Sequence, residues 1–235
     1  MPDPTDDLQV GSELVSRLTL LDALDELEPH LDAIVLVGAQ AVYLHTADTK
    51  LAVAVYTTDA DLAVAPGDLA DSPLIGDALT ARGFTPRVHP GGWLSPDGST
   101  SMSWCPRRSP GLRTRGARLG THGKRAARRA KGLEATLVDR QRRTVTALDP
   151  ADSRAREIWI AGPAALIVAK LHNIGERVGA QDRVRDKDAL DLCRLFQAVP
   201  TDQLADGMRR LREHPTRALD RLSLYTRLPG TAAST

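Results

Sequence analysis

Asp59 and Asp61 stand two residues apart in the run Thr57-Thr-Asp59-Ala-Asp61-Leu-Ala-Val64, which follows Val35-Leu-Val-Gly38-Ala-Gln-Ala41. Side chains at i and i+2 of a strand leave the same face, with Cα atoms roughly 6.5 to 7 Å apart. Two carboxylates so placed can hold one or two Mg²⁺ ions, and a pair of ions can clamp the attacking and leaving oxygens of a phosphoryl transfer. An Asp-x-Asp alone is common and carries little. Its setting carries more, because Leu62, Ala63 and Val64 continue the strand as an apolar run. Ionised carboxylates at the mouth of such a strand are costly unless paired or metal-bound. Upstream, Gly38 ends a second apolar strand and opens a helix, whose first N–H groups form an anion site.

A second group of polar residues lies far along the chain. Lys170, Asn173 and Arg177 recur at spacings of three and four, so a helix puts them on one face. Downstream comes Arg185-Asp186-Lys187-Asp188-Ala-Leu-Asp191. If these helices lie near the Asp59/Asp61 strand, Lys170 can hold triphosphate oxygens and Asp186 or Asp188 can complete a metal or base site. The plainer reading is salt bridging within and between helices. Both readings stand at this point.

A third group is a charge run. Residues 107–131 hold ten Lys or Arg and no Asp or Glu, although the net charge of the 235-residue chain is only +1. Such a run suits a phosphate backbone or serves as a solvated loop, and it has no aromatic residue for base stacking. Backbone contact with nucleic acid is therefore the more plausible of its binding roles.

These groups need elements to position them. Leu14, Leu18 and Leu21, with Leu20, Leu24 and Leu27 beside them, predict an amphipathic helix over residues 11–28 with Ser12 as its N-cap. Short apolar runs predict strands over residues 33–37 and 58–64, with a helix over 39–45 between them. Asp71-Ser-Pro73 and Gly83 bracket a helix over 74–82. Residues 85–89 and 101–105 read as antiparallel strands joined by the turn-rich HPGGWLSPDGST. Apolar alternation predicts further strands near 135–138, 144–148 and 157–160. Pro163 opens a helix over 164–177, and others follow over 186–196, from Thr201 to before Pro215, and over 216–228. The expected organisation is an α/β part over residues 1–160, carrying the basic insert 107–131, and a helical part over 161–235.

Composition sets outer bounds. A chain with 42% hydrophobic and 26% charged residues is an ordinary globular balance, while 3% aromatics leave the core to Leu, Val, Ile and Ala. Cys105 and Cys193 fit no metal spacing and suit a reducing compartment. The acidic N-terminus lacks an apolar leader segment and no run has membrane-spanning length, so a cytoplasmic protein without a membrane partner is expected. No Walker-type phosphate loop, no G-x-S-x-G elbow and no paired histidine spacing occurs, which argues against ordinary NTPase, hydrolase and zinc chemistry.

The set VGAQAV, TTDADLAV, AKLHNIGER and RDKDALDL resembles the AbiEii/AbiGii-type nucleotidyltransferases over residues 34–196. That family belongs to the polymerase-β-like superfamily and includes MenT-type toxins of bacterial toxin/antitoxin pairs. The resemblance implies an α+β fold, with a mixed sheet, flanking helices and a helical C-terminal part. It implies a Mg²⁺-dependent enzyme that moves a nucleoside monophosphate from an NTP to an acceptor hydroxyl, the 3′ end of tRNA being the expected acceptor and an antitoxin protein a partner. By the same resemblance Asp59 and Asp61 bind metal, and Gly38, Ala39 and Thr57 shape the phosphate turn. Lys170 and Arg177 hold the triphosphate, and Asp186 or Asp188 acts as a third acid. Two departures stand out. Ala39 replaces the hydroxyl residue often found after the glycine, and residues 98–133, which include the strand beside the pair, have no carboxylate at all. The alternatives are transfer to a small molecule, as antibiotic-modifying enzymes perform, and a degenerate, non-catalytic protein that binds nucleic acid or a partner.

Overall fold

A computed structural model describes residues 4–47, 57, 59–98, 100–106, 116–176 and 184–214. In chain order these form α1 (Pro4–Glu26), β1 (Ile34–Val37), α2 (Gly38–Thr46), β2 (Asp59–Val64) and α3 (Ile75–Ala81). Next come β3 (Thr85–Pro86), β4 (Gly92–Leu94), β5 (Thr100–Pro106), β6 (Arg128–Ala130), β7 (Arg140–Thr146) and β8 (Ala155–Ala161). Three helices close the described chain: α4 (Pro163–Glu176), α5 (Val184–Ala198) and α6 (Thr201–Glu213). The fold is α+β with a mixed sheet, as expected.

The sheet runs in the order β3-β4-β5-β2-β1-β8-β7, and β6 pairs with β5. The central strands are those the sequence marked as continuous apolar runs. All four residues of β1 are buried, and Ala60, Leu62 and Val64 of β2 are buried too. β1 lies antiparallel to β2 and parallel to β8, whereas β2 and β5 run parallel. Strands buried on both faces read as unbroken apolar segments, which is what IVLV is. Leu20, Leu21, Leu24 and Leu27 of the first helical segment enter the same core as Ile158 and Ile160 of β8 and Leu166 and Val168 of α4. Among the described residues no helix is long and apolar enough to cross a membrane.

The register places the acidic pair. Val37, the last residue of β1, is opposite Asp61, so both carboxylate-bearing positions of β2 sit where β1 ends and α2 begins. Asp59 and Asp61 are half-buried while Ala60 between them is fully buried, the alternation expected of a strand with one face on the core.

Several expectations are corrected. α1 begins at Pro4 and runs straight through Ser12, which is therefore not its N-cap. The segment expected as a strand at 135–138 is a 3-10 turn, Leu133–Leu137, that buries Leu133, Ala135 and Thr136. A short apolar run suits either structure, and here it contacts α4 instead of joining the sheet. The strand expected at 85–89 shrinks to β3. It pairs with β4, inside the segment read as a turn, and β4 in turn pairs with β5. The helix expected over 216–228 and the first part of the basic run, 107–115, lie outside the described residues.

Candidate functional site

Gly38 is the hinge of the site. It has φ +70°, the left-handed region that only glycine enters at no steric cost, and a side chain there would collide with the Asp61 carboxylate. The strand therefore turns into α2 directly against Asp61. A carboxylate at a helix N-terminus is stabilised by the partial positive charge of the first N–H groups.

Asp59 is positioned from behind. The Thr57 hydroxyl donates to the Asp59 carbonyl at 3.3 Å and accepts the Asp59 N–H at 3.4 Å. Gln40 in the first turn of α2 is buried, donates to the Ser16 carbonyl at 3.0 Å and the Asp59 carbonyl at 3.4 Å, and accepts from Arg17 Nε at 3.1 Å. Gln40 is thus engaged in locking α1, α2 and β2 together. The Thr57 hydroxyl likewise has backbone partners.

The pair opens into a cleft of about 300 Å³, a volume suited to a small ligand. Gly38, Ala39, Thr57, Asp59 and Asp61 line one side. Lys170 and Asn173 of α4, with Lys187 and Asp188 of α5, line another. Arg128 and Lys131 come from the end of the basic run, and Leu133, Leu166 and Ala169 form an apolar wall. The structure thus brings together Gly38, Ala39, Thr57, Asp59, Asp61, Lys170 and Asp188 of the expected site. Asp186 falls in the first turn of α5, where side chains are not described, and Arg177 lies outside the described residues. Arg128, Lys131 and Leu133 were not individually foreseen. The signal for the first two was present, since they close the acid-free run, but only β6 pairing with β5 carries them to the cleft.

Lys170 has two carboxylate partners. Its ammonium donates to Asp188 Oδ1 at 2.8 Å and Asp191 Oδ2 at 2.7 Å, and Arg194 Nη1 donates to Asp191 Oδ1 at 2.9 Å. Burial acts to lower the Lys170 pKa, but the two carboxylates outweigh it and hold the group above its ordinary value. The interhelical salt bridges of the plainer reading are therefore real, and they sit on the cleft wall. Asp188, one of the two residues expected as the third acid, is engaged with this lysine. Among the described residues no set of three His, Cys, Asp or Glu side chains is arranged to hold a metal ion. At the register positions beside Asp59 and Asp61, β5 carries Thr100 and Met102, as the acid-free strand required.

No protein-family model matches the chain, and no curated protein matches it. Among solved structures it is similar to the crystal structure of an antigenic nucleotidyltransferase-like protein from Paracoccidioides brasiliensis, with a TM-score of 0.42 and 12% identity over 90% of this chain and 91% of that one. A likeness at that level leaves the chemistry to be argued from the cleft itself.

Proposed function

We propose that the chain is a Mg²⁺-dependent nucleotidyltransferase that moves a nucleoside monophosphate from an NTP to an acceptor hydroxyl. The observation that carries this reading is the meeting of Asp61 with Gly38: a same-face carboxylate pair set directly against a helix N-terminus in a cleft walled by cations. The donor set fits a hard cation, being carboxylate oxygen without nitrogen or sulfur ligands. Asp59 and Asp61 would hold Mg²⁺, which when bound supplies Lewis-acid polarisation of phosphoryl oxygens. The N–H groups of the Gly38–Ala39 turn bind phosphate, and Lys131, Lys187 and Arg128 offset the charge of the polyphosphate and its leaving group. The apolar wall at Leu133, Leu166 and Ala169 excludes water from one side of the nucleotide.

The acceptor in this reading is RNA, at the 3′ end of tRNA, and the activity is that of a toxin restrained by an antitoxin protein. The family resemblance of residues 34–196 supports both points. The exposed cations Arg118, Lys124 and Arg125, which precede Arg128 in the basic run, support the RNA contact. A second reading, a nucleotide-binding protein without transfer, is favoured by the engagement of Asp188 with Lys170.

The deciding experiment incubates the protein with Mg²⁺, each α-labelled NTP in turn and total tRNA, comparing wild type with Asp59→Ala. Labelled tRNA is expected from wild type, falling by about a thousandfold or more in the variant. Equal labelling in the two would overturn the enzyme reading. A melting-temperature rise with Mg²⁺ and NTP but no labelled product would favour the binding protein.

A further inference from the structure

The described part of the basic run is a folded excursion of the chain. Gly116 and Arg128 form an antiparallel bridge, the Ala117 N–H donates to the Ala127 carbonyl at 2.9 Å, and the Leu119 N–H donates to the Gly123 carbonyl at 3.2 Å. Ala117, Leu119, Ala126 and Ala127 are buried in the hydrophobic core, whereas Arg118, Lys124 and Arg125 are exposed. A merely solvated loop has no reason to bury four apolar residues. The excursion is also fastened to its surroundings, since Thr121 Oγ1 donates to the Asp71 carbonyl at 3.1 Å and His122 bonds both the Ala70 carbonyl and the Ile75 N–H.

A second attachment reaches the turn between β3 and β4. The Gly91 N–H donates to the Arg125 carbonyl at 2.9 Å, and Arg125 Nη2 donates back to the Arg87 carbonyl at 2.9 Å. Arg87 is itself exposed, so two segments 38 positions apart present Arg87, Lys124 and Arg125 from bonded backbone. Both segments lie in a stretch of sequence, residues 78–133, that Asp97 alone interrupts with a carboxylate. Three residues, at most ~11 Å of extended chain, separate Arg125 from Arg128, which lines the cleft.

The chemistry of this surface selects its ligand. Clustered cations suit a phosphate backbone, and because the backbone that carries them is already ordered, binding has only side chains left to fix. Gripping single-stranded bases calls for exposed aromatic rings. Trp93, the one Phe, Tyr or Trp in residues 85–94 and 116–131, is buried. A double-helical RNA is recognised instead through its shape and its phosphates.

Resting on the reading of an RNA acceptor, we propose that Arg87, Lys124 and Arg125 form a phosphate clamp for the double-helical stem next to the acceptor's 3′ end. The stem lies on this surface, and the unpaired end continues past Arg128 into the cleft. The turn between β3 and β4, which carries no part of the acidic pair, thereby helps to set which RNAs are accepted.

The test is fluorescence anisotropy with two labelled RNAs of equal length, a hairpin with an unpaired 3′ overhang and an unstructured single strand. The full chain is compared with Arg87→Gln/Lys124→Gln/Arg125→Gln and with the charge-keeping Arg87→Lys/Arg125→Lys. Wild type is expected to bind the hairpin about tenfold or more tighter than the single strand. The triple variant should lose about tenfold or more of the hairpin affinity, and its slope of log affinity against log salt should shrink by about 2 to 3. The charge-keeping variant should stay within about threefold of wild type, since a phosphate accepts an ammonium as a point charge. The clamp is overturned if wild type binds the two RNAs equally, if the triple variant binds the hairpin as wild type does, or if the charge-keeping variant loses as much as the triple one. Asp59-dependent labelling of tRNA, run in parallel, separates the two readings. Labelling without a hairpin preference overturns the clamp alone, and a hairpin preference that the triple variant loses, without any labelling, supports the clamp and overturns the transferase reading.

Discussion

Gly38 and Asp61 lie 23 positions apart in sequence, yet each accounts for the other. The glycine was legible as a strand-to-helix turn, and the aspartate as half of a same-face carboxylate pair. That they face one another follows from the antiparallel register of β1 on β2, which no local pattern encodes. Gly38→Ala is expected to act twice: the left-handed backbone costs alanine ~1 kcal/mol, and the new methyl must displace the Asp61 carboxylate. Melting should fall by only a few degrees. Binding of Mg²⁺ with NTP, followed by calorimetry, should fall by about tenfold or more because the carboxylate has moved. A variant that loses stability but keeps wild-type affinity would separate Gly38 from the site. Lys170 shows the opposite limit of sequence reading. Its helix face was plain from the spacing of three and four, whereas its commitment to Asp188 and Asp191 depended on how α4 and α5 cross.

At the scale of elements, α4 must be held so that Lys170 meets the cleft, and its N-terminus is held by Asp139. That buried carboxylate accepts the Ala165 N–H at 3.0 Å and an Arg210 N–H from α6 at 3.0 Å, while its backbone carbonyl accepts the Gly162 N–H at 2.7 Å. Gly162 has no side chain because one would run into this carboxylate. Asp139→Ala removes a helix cap and leaves the Ala165 N–H buried without its acceptor, a cost of about 2 kcal/mol. Denaturant unfolding should show that loss, and Asp139→Asn, which keeps an acceptor, should recover about half of it. An Asp139→Ala protein as stable as wild type would show that α4 is fixed by its apolar packing alone. Pro163 announced the start of α4 in the sequence, but Asp139, 24 residues earlier, did not announce itself as its cap. The same division recurs elsewhere. Elements with strong apolar faces or clear start and stop signals, such as α3, α4 and β1, were legible. Two- and three-residue strands such as β3 and β4 were not, because sheet neighbours rather than their own residues define them.

At the scale of the whole molecule, the near-neutral net charge conceals histidines, one buried and one half-buried, whose protonation the fold resists. His30 is buried, with Nε2 donating to the Pro73 carbonyl at 2.7 Å, and its ring stands edge-on to His122 at 5.3 Å between centroids. Burial is the main cause that pushes its pKa below the ordinary histidine value, with the Pro73 bond opposing and His122 adding to the push. His45 donates to the Ala161 carbonyl at 2.8 Å where β8 gives way to α4, and burial lowers its pKa as well, against the Ala161 bond and Asp139 and with help from Arg143. His122 itself bridges two segments, with Nε2 donating to the Ala70 carbonyl at 2.7 Å and Nδ1 accepting the Ile75 N–H at 3.1 Å. It thereby ties the basic run to the loop between β2 and α3. For His30 and His45 the unfolded chain takes up protons first as pH falls below ~6.5, since its histidines are unperturbed. Their stabilising effect is therefore whole above ~6.5 and is lost as pH falls through the lowered folded values. Each histidine contributes a slope of at most about 1.4 kcal/mol per pH unit. Asp152, whose pKa is lowered by its bonds to Arg154, loses its contribution only in the more acidic carboxylate range, so the two windows separate. Melting temperature should thus be level from pH 8 to 7 and decline from about 6.5 toward 5, and His30→Gln/His45→Gln should flatten that decline although it melts lower at neutral pH. An unchanged decline in the double variant would assign the acid sensitivity to groups other than these two histidines.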